Sequence, residues 1–189
     1  MAEDIKLNEP QKKYLLQLAR TIVEAKVTGK PISVDPPQDA ALFQPSGCFV
    51  TLHVDSHLRG CIGTFQADGP IYQTVREMAQ AALQDSRFLH QPLRKDELNR
   101  LVIEISVLSP LSQTDDPLSL ELGKHGIYIK RGHQSGCFLP QVATETGWTK
   151  EEFLSYCCTH KAGLPREAWK DKQTTVYLFT AEIFGEGRE

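Results

Sequence analysis

The chain contains no apolar run near the roughly 20 residues needed to cross a bilayer. Its opening stretch, Met1 to Glu9, is polar and acidic, without the apolar centre of a secretory signal. Neither a membrane span nor a leader is expected. An excess of charge is also missing: 24 acidic residues against 21 Lys and Arg leave a net charge of −3, which gives bulk electrostatics no broad face for nucleic acid. Its five cysteines, at 48, 61, 137, 157 and 158, lack the paired spacing of a zinc ribbon or a thioredoxin-like motif. The adjacent Cys157 and Cys158 are poorly placed to bridge each other. All five are read as reduced thiols of a cytoplasmic protein. The phosphate-binding glycine loop, the dinucleotide fingerprint, the nucleophile elbow and the two-histidine zinc helix are absent, which removes the commonest enzyme classes. No internal repeat or low-complexity segment is present.

What remains is an ordinary globular composition, 40% hydrophobic and 24% charged over 189 residues, enough for one good-sized core or two small lobes. Asn8 is placed to cap a helix over 8–27, with Pro10 in its first turn and Leu15, Leu18, Ile22 and Ala25 on one stripe. The proline-bearing segment Ile32 to Ser46 reads as a loop wrapping the surface. Residues 48–65 read as a β-hairpin, 70–84 as an amphipathic helix opened by Asp68-Gly69-Pro70, and 101–108 as a strand closed by Pro110. A second hairpin over 126–139, a helix over 149–160 opened by Thr149, and one final strand over 174–184 complete the chain. Helices and antiparallel hairpins alternate irregularly, which predicts an α+β fold instead of a repeated βαβ wind.

The chemically unusual stretch is Leu58-Arg59-Gly60-Cys61-Ile62-Gly63. Strict alternation on a strand puts Arg59, Cys61 and Gly63 on one face, with Arg59 and Cys61 about 7 Å apart, so a fixed cation would stand near a thiol. Gly60 and Gly63 permit close approach of other backbone or of a ligand. The competing reading is packing: a free cysteine is commonly a small buried hydrophobe, and strand glycines mark bulges. Glu104, inside an apolar strand, must be solvated, paired or perturbed; a solvent-facing position is its plainer explanation. Asp85 and Arg87 read as a loop ion pair, and Lys161 and Arg166 suit the negative end of a helix. His53 and His57 straddle the hairpin turn and read as turn histidines; no metal site is expected. Gln141, Thr144 and Trp148 would line a cleft with Cys61 if one lies between the hairpins, although Trp148 reads more readily as packed.

Leu58-Arg59-Gly60-Cys61-Ile62-Gly63-Thr64 resembles the signature of the AMME chromosomal region candidate gene one (AMMECR-type) domain family, whose prokaryotic members are called AmmeMemoRadiSam system protein A. Asp85-Ser86-Arg87-Phe88, Ile103 to Pro110, Leu139 to Ala143 and Lys161 to Leu164 resemble the same family in the same order, from about Gly47 to Phe184. The resemblance implies one domain spanning 1–189 with a two-lobed α+β fold. It also implies antiparallel sheets flanked by helices, with a cleft near the motif. The lobes are expected to be discontinuous in sequence. The short Asp55-Ser56-His57 turn is a departure from many relatives. The resemblance further implies association with a Memo-like protein and a radical S-adenosylmethionine protein, and it names no cofactor. It carries the site to Arg59, Gly60, Cys61 and Gly63, and to Glu104, Gln141 and Trp148.

Two functions of different class follow. One is a thiol-dependent enzyme, or the substrate-holding subunit of one, acting on a small molecule or peptide: Cys61 is the nucleophile or carrier, Arg59 favours its thiolate or holds an anion, and Glu104 or a histidine moves protons. The other is a non-catalytic adaptor, in which the motif only fixes a tight hairpin. RNA binding through Arg59, Arg87, Arg94, Lys95 and Arg100 is a weaker third.

Overall fold

The computed structural model describes residues 6–65 and 68–187. The chain divides into two units, one of Lys6–Leu108 with the chain from Glu182 onward, the other of Ser109–Ala181. Each builds its own four-stranded antiparallel sheet, and the class is α+β as expected.

In the first unit, α1 (Glu9–Thr28) begins where Asn8 and Gln11 close a reciprocal cap, each side chain accepting from the other's backbone N–H at 2.9 Å. Leu15, Leu18, Ile22 and Ala25 form its buried stripe, and α2 (Ile71–Ala82) buries Ile71, Val75, Ala79 and Ala82. The sheet runs in the order β2-β1-β3-β8, from β1 (Cys48–Val54), β2 (His57–Thr64), β3 (Leu101–Leu108) and β8 (Ala181–Gly185). Cross-strand pairs of one face, Cys48 with Val107, Val50 with Ile105, Leu52 with Ile103 and Val54 with Leu101, are all buried. Alternation therefore leaves Phe49, Thr51 and His53 on the opposite face, in register with Ser106, Glu104 and Val102. Asp55 and Ser56 join β1 to β2 with φ of 51° and 65°, the left-handed pair of a two-residue hairpin turn whose twist matches the strands. Leu42, buried in a short 3₁₀ turn at Ala40–Phe43, anchors the proline-rich loop.

The second unit has the order β4-β7-β5-β6, from β4 (Ser112–Thr114), β5 (Gly126–Arg131), β6 (Gln134–Phe138) and β7 (Thr175–Phe179). Ile127, Ile129, Phe138 and Val176 pack with Phe153 and Leu154 of α4 (Lys150–Tyr156) and with Cys157, Cys158 and Trp169. Thr149 caps α4 in a reciprocal box with Glu152.

Three sequence expectations change. The segment 174–184 is two strands in two different sheets: at Thr180 the ladder is interrupted because Ser109 Oγ accepts from the Thr180 N–H and the Thr180 carbonyl accepts from the Ser109 N–H, both at 2.9 Å. The helix over 149–160 is α-helical only to Tyr156 and continues as a wider π turn over Cys157–Ala162. A further helix, α3 (Pro140–Thr146), occupies a stretch with no predicted element; Pro140 at its first position and Gly147 just beyond it are the signals that mark it. Among the described residues no helix is long and apolar enough to cross a membrane.

Candidate functional site

The hairpin geometry decides where Cys61 points. A two-residue turn at Asp55-Ser56 without a bulge would pair Val54 with His57, Leu52 with Arg59 and Val50 with Cys61, which would turn the thiol into the core. Observed pairing is Val54 with His57 and His53 with Leu58, then Leu52 with Gly60 and Thr51 with Cys61. One extra residue, Arg59, is inserted. A shift of one residue exchanges the faces of everything beyond it: Gly60 and Ile62 join the buried face, and Cys61 joins Thr51 and Glu104 on the other.

Each residue of the motif then has a physical role. A Cβ built on Gly60 would lie 2.1 Å from the Ala82 carbonyl oxygen at the end of α2, so only glycine lets the helix sit there. One on Gly63 would strike the Phe49 ring at 2.2 Å. The Arg59 side chain turns to Glu97 and is buried: Nη1 donates to Glu97 Oε1 at 2.8 Å, and Nη2 to Glu97 Oε2 at 3.0 Å and to the Gln91 and Pro92 carbonyls at 3.3 Å. The side chains of Arg59 and Glu97 keep only 8% and 10% of their exposure. Arg59, with the Arg94 N–H, holds the Glu97 carboxyl down to about 2. The expected pairing of Arg59 with the thiol is thus corrected. The bulge ends the alternation on which it rested, and Glu97 takes the guanidinium.

Cys61 is half-buried. The Thr51 hydroxyl donates to its Sγ at 3.3 Å, an acceptable length for sulfur. Cys61 lies on the edge strand, so its main-chain groups face outward, and Asp85 and Arg87 take both of them. Asp85 Oδ2 accepts from the Cys61 N–H at 3.0 Å, and Arg87 Nη2 donates to the Cys61 carbonyl at 3.2 Å. The buried Asp85 carboxylate also accepts from Arg87 Nε at 3.0 Å and Nη2 at 2.6 Å. Arg87 holds that carboxyl down to about 2, with the Cys61 N–H adding to the effect. The loop pair read from sequence as fastening is therefore a clamp on an otherwise open sheet edge.

Glu104 stands in the same cross-strand row, beyond Thr51 from Cys61, and is half-buried. Two strand spacings separate it from the thiol, about 10 Å. His53 is on β1, not in the turn, two residues along the same face as Thr51; His57 is exposed, with its Nδ1 2.8 Å from the Asp55 carbonyl oxygen. Sequence reasoning missed Thr51 and the position of His53, since both depend on the register that the bulge sets. Among the described residues no group of three or more potential metal ligands clusters.

Gln141 and Trp148 belong to the second unit. Trp148 packs against Phe138 and Tyr156 with ring centres 5.7 and 4.6 Å away, and Gln141 Oε1 is buried without a hydrogen-bond partner on α3. Within the first unit a recess of about 360 Å³ opens beside Thr64, the last residue of the motif, lined also by Asp68, Gln73, Thr74 and Glu77; Cys61 is not part of its lining. Three of the other cysteines differ from Cys61 in being buried. Burial pushes Cys48 up to about 12 and raises Cys157 and Cys158, and Cys137 is half-buried. The basic residues considered for RNA are largely neutralised: Arg87 pairs with Asp85, Arg94 with Asp96, Arg100 with Asp55 and Arg59 with Glu97.

The AMMECR1 family model matches residues 16–184, which include every residue of this site. The chain belongs to the AMMECR1 family. A protein of Aquifex aeolicus is 41% identical over 180 residues, covering 91% of each chain, and one of Nanoarchaeum equitans is 42% identical over 180 residues, covering 91% of this chain and 98% of its own. A crystal structure of a Pyrococcus horikoshii protein superposes with a TM-score of 0.86 at 38% identity, over 97% of this chain and 95% of that one. Family membership thus agrees with the resemblance carried by the Leu58–Thr64 stretch, and the solved relative shares the fold of nearly the whole chain.

Proposed function

We propose that this AMMECR1-family chain is a thiol-dependent protein, an enzyme or its substrate-holding subunit, in which Cys61 is the reacting group. The observation that carries the reading is the bulge at Arg59. It moves Cys61 from the core face to a half-buried polar face, where Thr51 orients the sulfur and His53 and Glu104 stand further along the same face. The Asp85-Arg87 clamp adds rigidity, since it fixes the backbone of the residue that must react. Its substrate is a small molecule or an exposed peptide side chain with an electrophilic centre. In the cytoplasm its partners are a Memo-like protein and a radical S-adenosylmethionine protein, as the family resemblance implies.

Iodoacetamide modification of the five cysteines, followed by mass spectrometry across pH, tests this. Cys61 is modified first, ahead of the half-buried Cys137, and Cys48, Cys157 and Cys158 are modified last. Modification of Cys61 no faster than Cys48 would overturn the thiol reading.

The adaptor reading has its own observation: Gly60 and Gly63 are occupied in packing, and Nη1 and Nη2 of Arg59 in pairing with Glu97 and two carbonyls, with only its buried Nε left without a partner. It is favoured if Cys61→Ser folds and captures the Memo-like or radical S-adenosylmethionine partner as well as the unmodified chain does.

A further inference from the structure

The cation that sequence placed beside Cys61 is enclosed on Glu97, and another has its place. A guanidinium has five N–H donors. Arg87 uses three on the protein, Nε on Asp85 Oδ1 and Nη2 on both Asp85 Oδ2 and the Cys61 carbonyl. Its Nη1 makes no hydrogen bond to any described residue, and the side chain is 53% exposed while Asp85 beneath it is 3% exposed. The clamp therefore presents to solvent the outward edge of a cation whose orientation is fixed from behind. Carboxylates and phosphates are the groups that match two parallel or forked N–H donors. The Nη2 donation to the Cys61 carbonyl at 3.2 Å sets the guanidinium beside the residue that bears the sulfur.

We infer that the substrate reacting at Cys61 is an anion, an electrophile carrying a carboxylate or phosphate a few atoms from its reacting carbon, with that anionic group received by Nη1 of Arg87. This rests on the reading of Cys61 as the reacting thiol. It assigns Arg87 a binding role in addition to its clamp role. It also places anion recognition on the loop after α2 instead of on the motif strand.

The test compares iodoacetate with iodoacetamide, reagents of one reacting centre that differ in charge. In both, the carbon–sulfur bond forms as iodide leaves with its bonding pair, the thiol proton passes to solvent, and nothing is oxidised. At low salt the iodoacetate-to-iodoacetamide rate ratio at Cys61 exceeds that at Cys137 by up to about fivefold, the factor that one unit-charge pair a few Å apart in water provides before Asp85 offsets part of it. The excess shrinks as salt is raised. Arg87→Gln lowers the ratio at Cys61 to that at Cys137, and Arg87→Lys, which keeps the charge, restores part of it. Should Arg87→Gln fail to fold, competition on the unmodified chain serves: malonate slows iodoacetate at Cys61 more than at Cys137. A ratio at Cys61 that equals that at Cys137, ignores salt and is indifferent to malonate overturns anion recognition while leaving a reactive Cys61 in place. A Cys61 inert to both reagents overturns the thiol reading itself, and the inference with it.

Discussion

Each unit contains a Gly-Cys step on the return strand of a hairpin, and that strand is the edge of its sheet: Gly60-Cys61 on β2 and Gly136-Cys137 on β6. In each the glycine lies under helical backbone, with a built Cβ 2.1 Å from Ala82 O at position 60 and 2.4 Å from Ala162 N at position 136. In each the cysteine falls on the other face and is half-buried. The two differ in what shares that face. Cys137 is level with Tyr128, whose ring is 5.9 Å from Tyr177, whereas Cys61 is level with Thr51 and Glu104. Glycine before cysteine is therefore a packing device that this fold uses twice, and it does not itself mark a site. Chemistry has to be read from the cross-strand row and from whatever closes the edge.

The largest effect expected is at the buried Arg59–Glu97 pair of the first unit. Arg59→Met leaves a buried Glu97 carboxylate without its partner, a loss of about 3–5 kcal/mol in urea unfolding. The second unit's pair, Arg131 with Asp171, is much more exposed, with 25% and 48% of the side chains accessible. Its removal costs about 1 kcal/mol or less. Equal losses would erase the contrast. Next come Gly60→Ala and Gly136→Ala: both put a methyl group into backbone that cannot rotate away, so each destabilises by about 3 kcal/mol, the upper part of the range for overpacking. A tolerated alanine at either position, measured the same way, would show that the device is not shared.

Acid sharpens the same comparison. Glu97 and Asp85, both in the first unit, have carboxyls held at about 2 in the folded chain, below their ordinary values of 4.5 and 3.8. Their contribution is complete above those ordinary values, because the unfolded chain then gains no protons that the folded chain lacks. It falls away as pH drops from about 5 to 2, where the unfolded chain binds protons first. In hydrogen exchange across that window, the amides of β2 are expected to lose protection before those of β5 and β6. The reverse order would mean that carboxylates elsewhere dominate.

Much of this architecture was legible before any coordinates, for identifiable reasons. The stripe of Leu15, Leu18, Ile22 and Ala25, the Asn8 and Thr149 caps and the apolar run at 101–108 are local signals, and each stands where local rules put it. The resemblance located the Leu58–Thr64 stretch, and the Asp85-Arg87 fastening was visible as a pair though not as a clamp on Cys61. What stayed hidden was set by single-residue events. The bulge at Arg59 exchanges the faces of Cys61 and Gly60, and nothing in Leu58-Arg59-Gly60 announces which residue is extra. The interruption at Thr180 depends on Ser109, 71 residues earlier. Glu97 as the partner of Arg59 is likewise a tertiary fact, since 38 residues separate them.

The smallest expected effect isolates the feature on which the functional reading depends. Thr51→Val keeps shape, β-branching and strand preference and removes only the hydroxyl that donates to Cys61 Sγ. Thr51 is 8% exposed, so loss of its hydroxyl removes one weak hydrogen bond but also one buried polar group. These oppose each other, and urea unfolding should move by no more than about 1 kcal/mol. If Thr51 orients the sulfur for reaction, iodoacetamide modification of Cys61 changes by about fivefold, the equivalent of one modest hydrogen bond, while Cys137 in the same sample stays fixed as an internal reference. A Cys61 rate within twofold of the unmodified chain would make the contact one of packing. Cys61 would then have no more claim to chemistry than Cys137, and the two Gly-Cys steps would be alike in role as well as in construction.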